Sequence, residues 1–450
     1  MNSAKIRLGS AVGALALLTP EALAQTDIQS TFELARGHAN EGNTSATERT
    51  LSVLSIVSLS PSQQALYYEI LAIAYKDIDP SQSARYYQSA SELEERAYRK
   101  YEQALAHERA SETVQALEAY EQALALEPGN RTIGLSYAYA LRRAGRDSEA
   151  AGLFARFQDD SPQLLLDEAY ANLAARQSDQ AVEGFKAALD TWRETGTYDE
   201  VGAYGIRREV QRLEDRLNGQ VFVSYRENSF ETPIALPEEG VSLGQLGAQI
   251  SYQPEATYNA GEGLSVFARG YASFEDGSLN ADEDSVQFGV GANWKPLQSQ
   301  NLNFAFERMI AGGDNARDAW LARAQYGWGQ GFDWQPGQDH WAYTSVYAGL
   351  SHILDEPTFT SLYTSIRHGR RFAVADKVAI TPYITAVAQW SEDEFDSRER
   401  YEAGPGVALS IWTNETEYWA PSQRIDFEIE YRVAGGDSDD SFVGQIVWNF

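Results

Sequence analysis

The sequence predicts an α + β multidomain protein: an N-terminal α-helical, TPR-like (tetratricopeptide-like) solenoid followed by an antiparallel transmembrane β-barrel of about 12 strands. Three observations predict this fold class. Apolar residues recur at helical spacing from about residue 27 to residue 217, two prolines in that region lie 34 residues apart, and apolar and polar residues then alternate up to the final residue, Phe450. The predicted domains are a signal peptide at 1–24, periplasmic helical repeats at 25–217 and an outer-membrane barrel at 218–450.

The first residues are typical of an export signal. Lys5 and Arg7 precede an apolar run from Leu8 to Leu18, and Ala22-Leu23-Ala24 is a small-x-small cleavage triplet. The sequence therefore predicts a mature start at Gln25, with a buried N-terminal helix as the alternative. After this segment no stretch of 18 residues is apolar enough for a transmembrane helix.

The composition excludes several classes of partner and chemistry. A formal net charge of -29 repels polyanions, so nucleic-acid binding is not expected. The chain has no cysteine, which excludes disulfides, thiolate metal sites, cysteine nucleophiles and a lipidated N-terminal cysteine. Attachment to outer-membrane lipid must therefore come from the fold.

The helical region carries a repeat. Pro128 and Pro162 lie 34 residues apart, the tetratricopeptide period. Small alanines let two helices approach closely, an aromatic residue fills the gap to the next hairpin, and a proline is predicted to stop the second helix. The predicted packing residues are Ala116, Tyr120, Pro128, Ala138, Ala150, Phe154 and Pro162. We expect about five hairpins, with a non-repetitive helical bundle as the alternative. The concave face of a repeat array normally binds another protein, and the partner expected here is a periplasmic or inner-membrane protein.

The second half has the period of β-strands. From Arg424 to Val433, apolar and charged residues alternate, which in a barrel places the apolar set against lipid and the charged set in the lumen. The last strand alternates to the end of the chain, and Phe442, Ile446, Trp448 and Phe450 form the pattern expected of a barrel-assembly signal. A soluble β-sandwich is the alternative.

Twelve such segments can be counted between residues 220 and 450, and an even number places both ends of the barrel domain on one side of the membrane. The candidate lumen-lining residues are Glu307, Arg323, Asp426, Glu428, Glu430 and Arg432. We expect many of these charges to neutralise each other across strands, in preference to lining a selective charged channel. Acidic connections, among them 275–276, 282–284, 392–394 and 437–440, are interpreted as solvated surface charge more readily than as cation sites.

The sequence offers no catalytic residue, cofactor-binding residue or metal ligand set. The five histidines lack metal-ligand spacing, and no nucleophile elbow, phosphate loop or dinucleotide fingerprint occurs in a suitable context. We expect a protein that is not an enzyme and needs no cofactor.

Two stretches resemble a known family. One runs from Gly205 to Leu213 and leads into the strand Gln220 to Tyr225; the other runs from Glu307 to Asp314 and is followed by 318–323. Over about 200–450 the chain resembles the C-terminal barrel region of the NfrA-type phage-adsorption protein A family. The resemblance implies an outer-membrane protein with periplasmic repeats that works beside an inner-membrane glycosyltransferase in surface-polysaccharide export and that phages exploit as a receptor. This array is short for the family, which puts direct contact with such an enzyme in doubt.

Two functions follow as hypotheses. In the first, the protein is a component of surface or exopolysaccharide export, and aromatic lumen residues such as Phe267 and Tyr271 would stack on sugars. The same protein would also be a possible phage adsorption site. The second is a non-transporting, outer-membrane-anchored scaffold for periplasmic protein partners. The resemblance favours export, whereas the small lumen expected for twelve strands favours the scaffold.

Overall fold

A computed structural model describes residues 20–196, 199–226, 244–254, 263–274, 280–297, 299–394, 397–436 and 439–450, with side chains described from residue 27 onward. The predicted signal peptide and its cleavage site lie outside the residues whose side chains are described. The described chain divides into two compact units, Met1–Asp159 and Asp160–Phe450. The change from helices to strands falls later, between Glu214 and Leu217.

Eleven α-helices precede the strands in the described part of the chain. Their bounds are α1 Pro20–Asn40, α2 Thr44–Leu51, α3 Pro61–Tyr75, α4 Pro80–Leu93, α5 Ala97–Arg109, α6 Thr113–Leu126, α7 Arg131–Arg143, α8 Asp147–Arg156, α9 Pro162–Ala174, α10 Ser178–Thr195 and α11 Glu200–Glu214. Successive helices pack in pairs from α1 with α2 to α9 with α10, which gives five hairpins, and α11 then packs on α10. The predicted TPR-like helical array is therefore confirmed.

The helices begin where the sequence supplies N-terminal caps. Ser60 and Gln63 form a capping box in front of α3, and the side chains of Asp79, Asn130 and Ser161 cap α4, α7 and α9. The prediction that Pro162 ends a helix is wrong, because α8 ends at Arg156 and Pro162 is the first residue of α9. Proline suits that position, since its fixed φ fits the first turn and its missing N–H would have no helical acceptor there.

Five of the seven predicted packing residues lie in the core of the first unit, whereas Pro128 is exposed and Pro162 is half-buried in the second. Ala116, Tyr120, Ala138, Ala150 and Phe154 are all buried. The ring of Tyr120 stacks on Tyr137 with 6.0 Å between centroids. The hydroxyl of Tyr120 donates a hydrogen bond to Glu108 at 3.0 Å. Burial is the main reason why the pKa of Tyr120 lies well above its usual value. Small alanines and aromatic rings thus pack together in these hairpins, and the hairpin of α7 and α8 buries more than one ring.

The strands close into an antiparallel barrel. Their bounds are β1 Leu217–Arg226, β2 Gly244–Tyr252, β3 Gly263–Ser273, β4 Gln287–Lys295, β5 Leu302–Ala311, β6 Ala319–Gln330, β7 His340–Ile353, β8 Phe359–Ala375, β9 Val378–Asp393, β10 Ser397–Thr413, β11 Gln423–Gly436 and β12 Ser441–Asn449. Each strand pairs with its neighbours in sequence, and β1 also pairs with β12. The prediction of about 12 antiparallel strands is confirmed within the described ranges.

The last residue takes part in closing the barrel. The N–H of Gly219 donates to the carbonyl of Phe450 at 2.6 Å, and the N–H of Phe450 donates to the carbonyl of Gly219 at 2.9 Å. The ring of Phe450 covers Gly219, because a Cβ atom built on that glycine would lie 2.3 Å from the ring. The terminal aromatic residue therefore fits only against a residue that lacks a side chain.

Side chains on the strands alternate between an apolar outer face and a polar inner face. Phe427, Ile429, Tyr431 and Val433 on β11 are exposed on the outer face, while Asp426, Glu430 and Arg432 between them are buried. Phe442, Ile446 and Trp448 on β12 also lie on the outer face. Among the described helices, none is both long enough and apolar enough to cross a membrane.

The glycines of the array yield a test of its packing. A Cβ atom on Gly134 in α7 would lie 2.1 Å from the ring of Phe157, whereas one on Gly152 in α8 would meet nothing within 4 Å. We expect Gly134→Ala to destabilise the helical array by about 1–3 kcal/mol, because the ring must move. The matched Gly152→Ala is expected to stabilise it by about 0.5–1 kcal/mol. Thermal unfolding followed by circular dichroism at the helical band measures both, and equal effects of the two would contradict this packing.

Candidate functional site

The inner face of the barrel holds the predicted lumen residues. Five of the six, Glu307, Arg323, Asp426, Glu430 and Arg432, are buried, and the side chain of Glu428 is 12% exposed. They do not form one group. The structure places them in three sets of ion pairs, of which the first two share Arg432, and each set includes residues that the sequence analysis did not single out.

The first set surrounds Glu402 on β10. Its carboxylate contacts Arg226 on β1, Arg432 on β11 at 3.3 Å and Arg400 on its own strand at 3.6 Å. The side chains of Arg226 and Glu402 are 1% and 0% exposed. Two strands, β12 and β11, lie between β1 and β10 in the barrel, so this ion pair reaches through the interior rather than along the wall.

The second set is centred on β11. Arg367 on β8 contacts both Glu428 and Glu430 at 3.1 Å, and again two strands lie between the partners. Glu430 also accepts hydrogen bonds from Arg432 at 2.6 Å and from the hydroxyl of Tyr383 at 2.7 Å. Near the start of β11, the carboxylate of Asp426 contacts the guanidinium of Arg424 at 2.6 Å and accepts a hydrogen bond from the hydroxyl of Ser410.

The third set lies on the opposite wall. Glu307 on β5 accepts from Arg269 on β3 at 2.7 Å and from Arg323 on β6 at 3.0 Å. The guanidinium of Arg323 lies 5.4 Å from the centre of the Phe267 ring, and that of Arg269 lies 5.4 Å from the Tyr271 ring. Phe267 and Tyr271 thus contact arginines of the inner face.

Strand alternation could have identified the missed partners Arg226, Arg269, Arg367, Arg400 and Glu402, because each falls on the inward parity of its strand. Which arginine meets which carboxylate could not be read from that parity. The pairs of Arg226 with Glu402, Arg269 with Glu307 and Arg367 with Glu430 join strands that are not neighbours, so their distances depend on the curvature of the closed barrel.

Two inner-face glycines let these side chains meet across an intervening strand. Gly289 on β4 lies between Arg269 and Glu307, and a Cβ atom there would be 1.9 Å from Oε1 of Glu307. Gly406 on β10 lies between Tyr383 and Glu430, and its Cβ would be 2.6 Å from the tyrosine ring and 3.0 Å from Cγ of Glu430. In both places the glycine supplies the space that the hydrogen bond occupies.

A cavity of about 730 Å³ remains inside the barrel. It lies towards the end where β1 follows α11, here called the helix-proximal end. Its walls combine amide groups, as on Asn301 and Gln325, with tyrosine rings, as on Tyr347 and Tyr363, and with the charged side chains of β11. The cavity is therefore polar, with aromatic surfaces and charges of both signs.

The loop between β6 and β7 crosses the helix-proximal mouth, and we name residues 331–339 the mouth strap. The carbonyl of Phe332 accepts from Trp412 on β10 at 3.2 Å and from Arg424 on β11 at 3.1 Å, with a longer contact to Arg371 on β8. The Phe332 ring packs edge-on against Tyr343 on β7. One loop residue thus touches inner-face side chains from four strands.

The last two helices, α10 and α11, contact loops at the same end of the barrel. Arg207 on α11 contacts Glu415 at 2.7 Å, and Glu415 also binds Lys377, whose pKa it raises by that hydrogen bond. On α10, Arg193 reaches Glu417 at 2.9 Å and Asp190 accepts from the Tyr418 hydroxyl at 3.0 Å.

The indole of Trp419 completes this interface by donating to Glu214 at 2.7 Å. Arg207 belongs to the sequence motif from Gly205 to Leu213. Part of that motif therefore lies at the contact between α11 and the barrel.

The acidic connections at the opposite, distal end cap backbone groups. Asp318 accepts from the N–H of Ala311 at 3.0 Å, Asp440 from that of Ala434 at 2.9 Å and Asp282 from that of Asp284 at 3.0 Å. No cluster of histidine or carboxylate residues suited to a metal ion occurs in the described parts of the chain. The acidic residues 275–276 and 437 lie outside the described residues.

Comparison with known proteins places the barrel near one family. Residues 278–444 match the family described as "Bacteriophage N adsorption protein A C-term". A 198-residue segment is 26% identical to the "Bacteriophage adsorption protein A" of Escherichia coli (strain K12), covering 42% of this chain. The segment spans 20% of that relative's length. The predicted resemblance is confirmed. The family match over residues 278–444 contains the second motif of that resemblance, from Glu307, but not the first.

Two solved structures are similar to part of the chain. A crystal structure of MamA protein is 16% identical, with a TM-score of 0.33, and the alignment covers 39% of this chain and 97% of that one. A Podosopora anserina putative kinesin light chain with nearly identical TPR-like repeats is 17% identical, with a TM-score of 0.31, and covers 37% of this chain and 96% of that one.

The inner-face glycines give a prediction for the barrel. We expect Gly289→Ala and Gly406→Ala each to destabilise the barrel by about 1–3 kcal/mol, because the added methyl group separates a buried hydrogen-bonded pair. Gly444→Ala on β12 is the matched control, since a Cβ atom there meets nothing within 4 Å. Urea unfolding of the detergent-solubilised protein, followed by tryptophan fluorescence, measures the three midpoints. Coincident midpoints would show that the two glycines are not required for the pairing.

Proposed function

We propose that this chain is an outer-membrane protein in which a closed barrel anchors a periplasmic helical scaffold for protein partners. The observation that carries the proposal is the set of buried ion pairs that join strands β1 with β10 and β8 with β11 through the barrel interior. Side chains that cross the interior in this way obstruct a polymer or a hydrated solute. The proposed role is non-catalytic and needs no cofactor.

The outer face of the barrel supports the membrane location. Large apolar side chains such as Val290, Phe306, Ile384 and Ile429 are exposed there, which is unfavourable in water and favourable in lipid. A closed antiparallel barrel is one of the two backbone arrangements that satisfy every backbone hydrogen bond in a bilayer. The similarity to a bacteriophage adsorption protein is consistent with this location, because phages adsorb at the cell surface.

We propose that the helical array faces the periplasm. With twelve strands, β1 begins and β12 ends at the same end of the barrel, where α11 lies. If assembly starts from the periplasm, that end and the helical array face the periplasm, and the distal loops face outward. A periplasmic or inner-membrane protein is then the partner that the array is placed to bind.

Two further roles are proposed for the same architecture. The name of the Escherichia coli relative suggests that the distal loops could serve as a phage adsorption site. The polar cavity with tyrosine walls favours a second candidate, a component of surface or exopolysaccharide export, because sugars bind through amide hydrogen bonds and aromatic faces. That candidate requires the interior ion pairs to separate.

Planar-bilayer recording tests the anchor proposal. We expect the wild-type protein to give no conductance steps, because paired side chains occupy the interior. A variant with Arg226→Ser, Arg400→Ser and Glu402→Ser is expected to conduct, since it removes the central charges and their volume. Glu392→Gln, an exposed change near the distal end of β9, is the control and should stay silent. Steady ionic conductance of the wild-type protein would contradict a closed barrel.

A deletion strain separates the two candidates. The anchor proposal predicts that membrane fractionation recovers the protein in the outer membrane and that secreted polysaccharide is unchanged when the gene is deleted. Loss of secreted polysaccharide, restored by wild-type protein but not by the isolated barrel, would instead support export. A mature protein found dissolved in the periplasm would rule out both.

A further inference from the structure

Two residues of the mouth strap connect it to the barrel and to α11. Phe332 accepts hydrogen bonds from Trp412 and Arg424, which project from the inner face of the barrel. Trp334 belongs to a buried cluster that also contains Tyr204 of α11 together with Trp341, Trp412 and Ala420. The ion pair between Arg208 of α11 and Asp333 of the strap, at 2.9 Å, adds a second contact with the helix.

The strap also has the backbone features of a movable segment. Gly331 and Gly337 adopt positive φ angles of 77° and 74°. This left-handed conformation is easily reached and left by glycine, so both positions can absorb a change of backbone direction. Gly337 additionally faces Val201 in the first turn of α11, at 3.7 Å from its Cβ position. Helix α11 is therefore linked to the strap through Tyr204 and Arg208, and Val201 lies close to Gly337.

The cavity begins directly behind this strap. Phe332 is one of the residues that line it, together with Tyr343 and Arg424, which hold the phenylalanine in place. Withdrawal of Phe332 would remove its ring and carbonyl from the mouth and would leave Arg424 and Trp412 without their acceptor. Access to the cavity and the position of the strap are thus linked by the same contacts.

We infer that α11 controls access to the barrel cavity: while it holds the mouth strap the mouth of the cavity is narrowed, and displacement of α11 releases Phe332 and widens the mouth for solutes from the helix-proximal end. This goes beyond the proposed anchor, which requires no moving part. The control is mechanical, since α10 and α11 form the last two helices of the array and also carry the contacts to the barrel loops.

A single thiol in the cavity tests the inference, because the natural chain has no cysteine. Ser365→Cys places a thiol on the cavity wall, and Asp376→Cys places a reference thiol in an exposed turn at the same end. The full-length protein is purified in detergent, and the rate of modification by a bulky charged maleimide is measured by mass spectrometry. We expect the cavity thiol to react much more slowly than the reference thiol.

Variants of α11 should then open the cavity. In the Ser365→Cys background, Tyr204→Ala is expected to raise the modification rate at least about tenfold, because it removes a buried ring from the strap cluster. Arg208→Glu is expected to raise it about fivefold through repulsion from Asp333. The exchanged pair Arg208→Glu with Asp333→Arg should restore the slow rate. Arg212→Glu, one turn further along α11, alters an ion pair with Glu209 on the same helix and should have no effect.

Two results would overturn the inference. One is a cavity thiol that already reacts as fast as the reference thiol in the parent protein. The other is a slow rate that Tyr204→Ala and Arg208→Glu both leave unchanged. Retention of the compact barrel form in unheated gel electrophoresis shows that each variant is folded. Because the assay uses isolated protein, it is independent of where the protein resides and of whether its barrel conducts.

Discussion

Charged groups that leave water must meet opposite charges, and this requirement shapes the barrel interior. Glu307 and Glu402 are each surrounded by arginines that come from more than one strand, and Glu430 is shared by Arg367, Arg432 and Tyr383. A carboxylate buried without these partners would be strongly unfavourable. The same contacts that neutralise the charges also fill the space through which a solute would pass, so electrostatic pairing and closure of the barrel are one property of the structure.

The junction between helices and strands depends on a different set of contacts. Two loops of the helix-proximal end, around Asp333 and Glu415, meet α11, and Lys377 of a third loop pairs with Glu415. The contacts are ion pairs, hydrogen bonds, one cluster of aromatic rings, and the packing of Tyr418 and Trp419 on the apolar core of the last helices. An interface of this kind fixes orientation through many directional bonds, and each bond contributes little by itself. It suits a connection that must be specific and still able to yield.

The two periodicities in the sequence account for most of the predictable structure. Alternation along β11 correctly separates Glu430 from Ile429, and the interval between Ala116 and Ala150 identifies equivalent core positions in two hairpins. Period alone could not decide what Pro162 does, because a proline two residues after one helix and a proline at the start of the next look alike in sequence. Nor could it reveal the mouth strap, since the position of Phe332 depends on residues 80 to 92 positions away. The periodicity of residues along one element predicts that element. The pairing of side chains that are distant in sequence depends on how the barrel closes.

The reciprocal hydrogen bonds between Gly219 and Phe450 join the first strand to the final residue of the chain. This contact joins the first described strand to the residue that follows the last one, so the barrel cannot close until β12 has been synthesised. The hairpins of the array contain only local contacts and can form earlier. Until β12 pairs with β1, both strands keep unpaired edges, which is the condition in which strands associate wrongly.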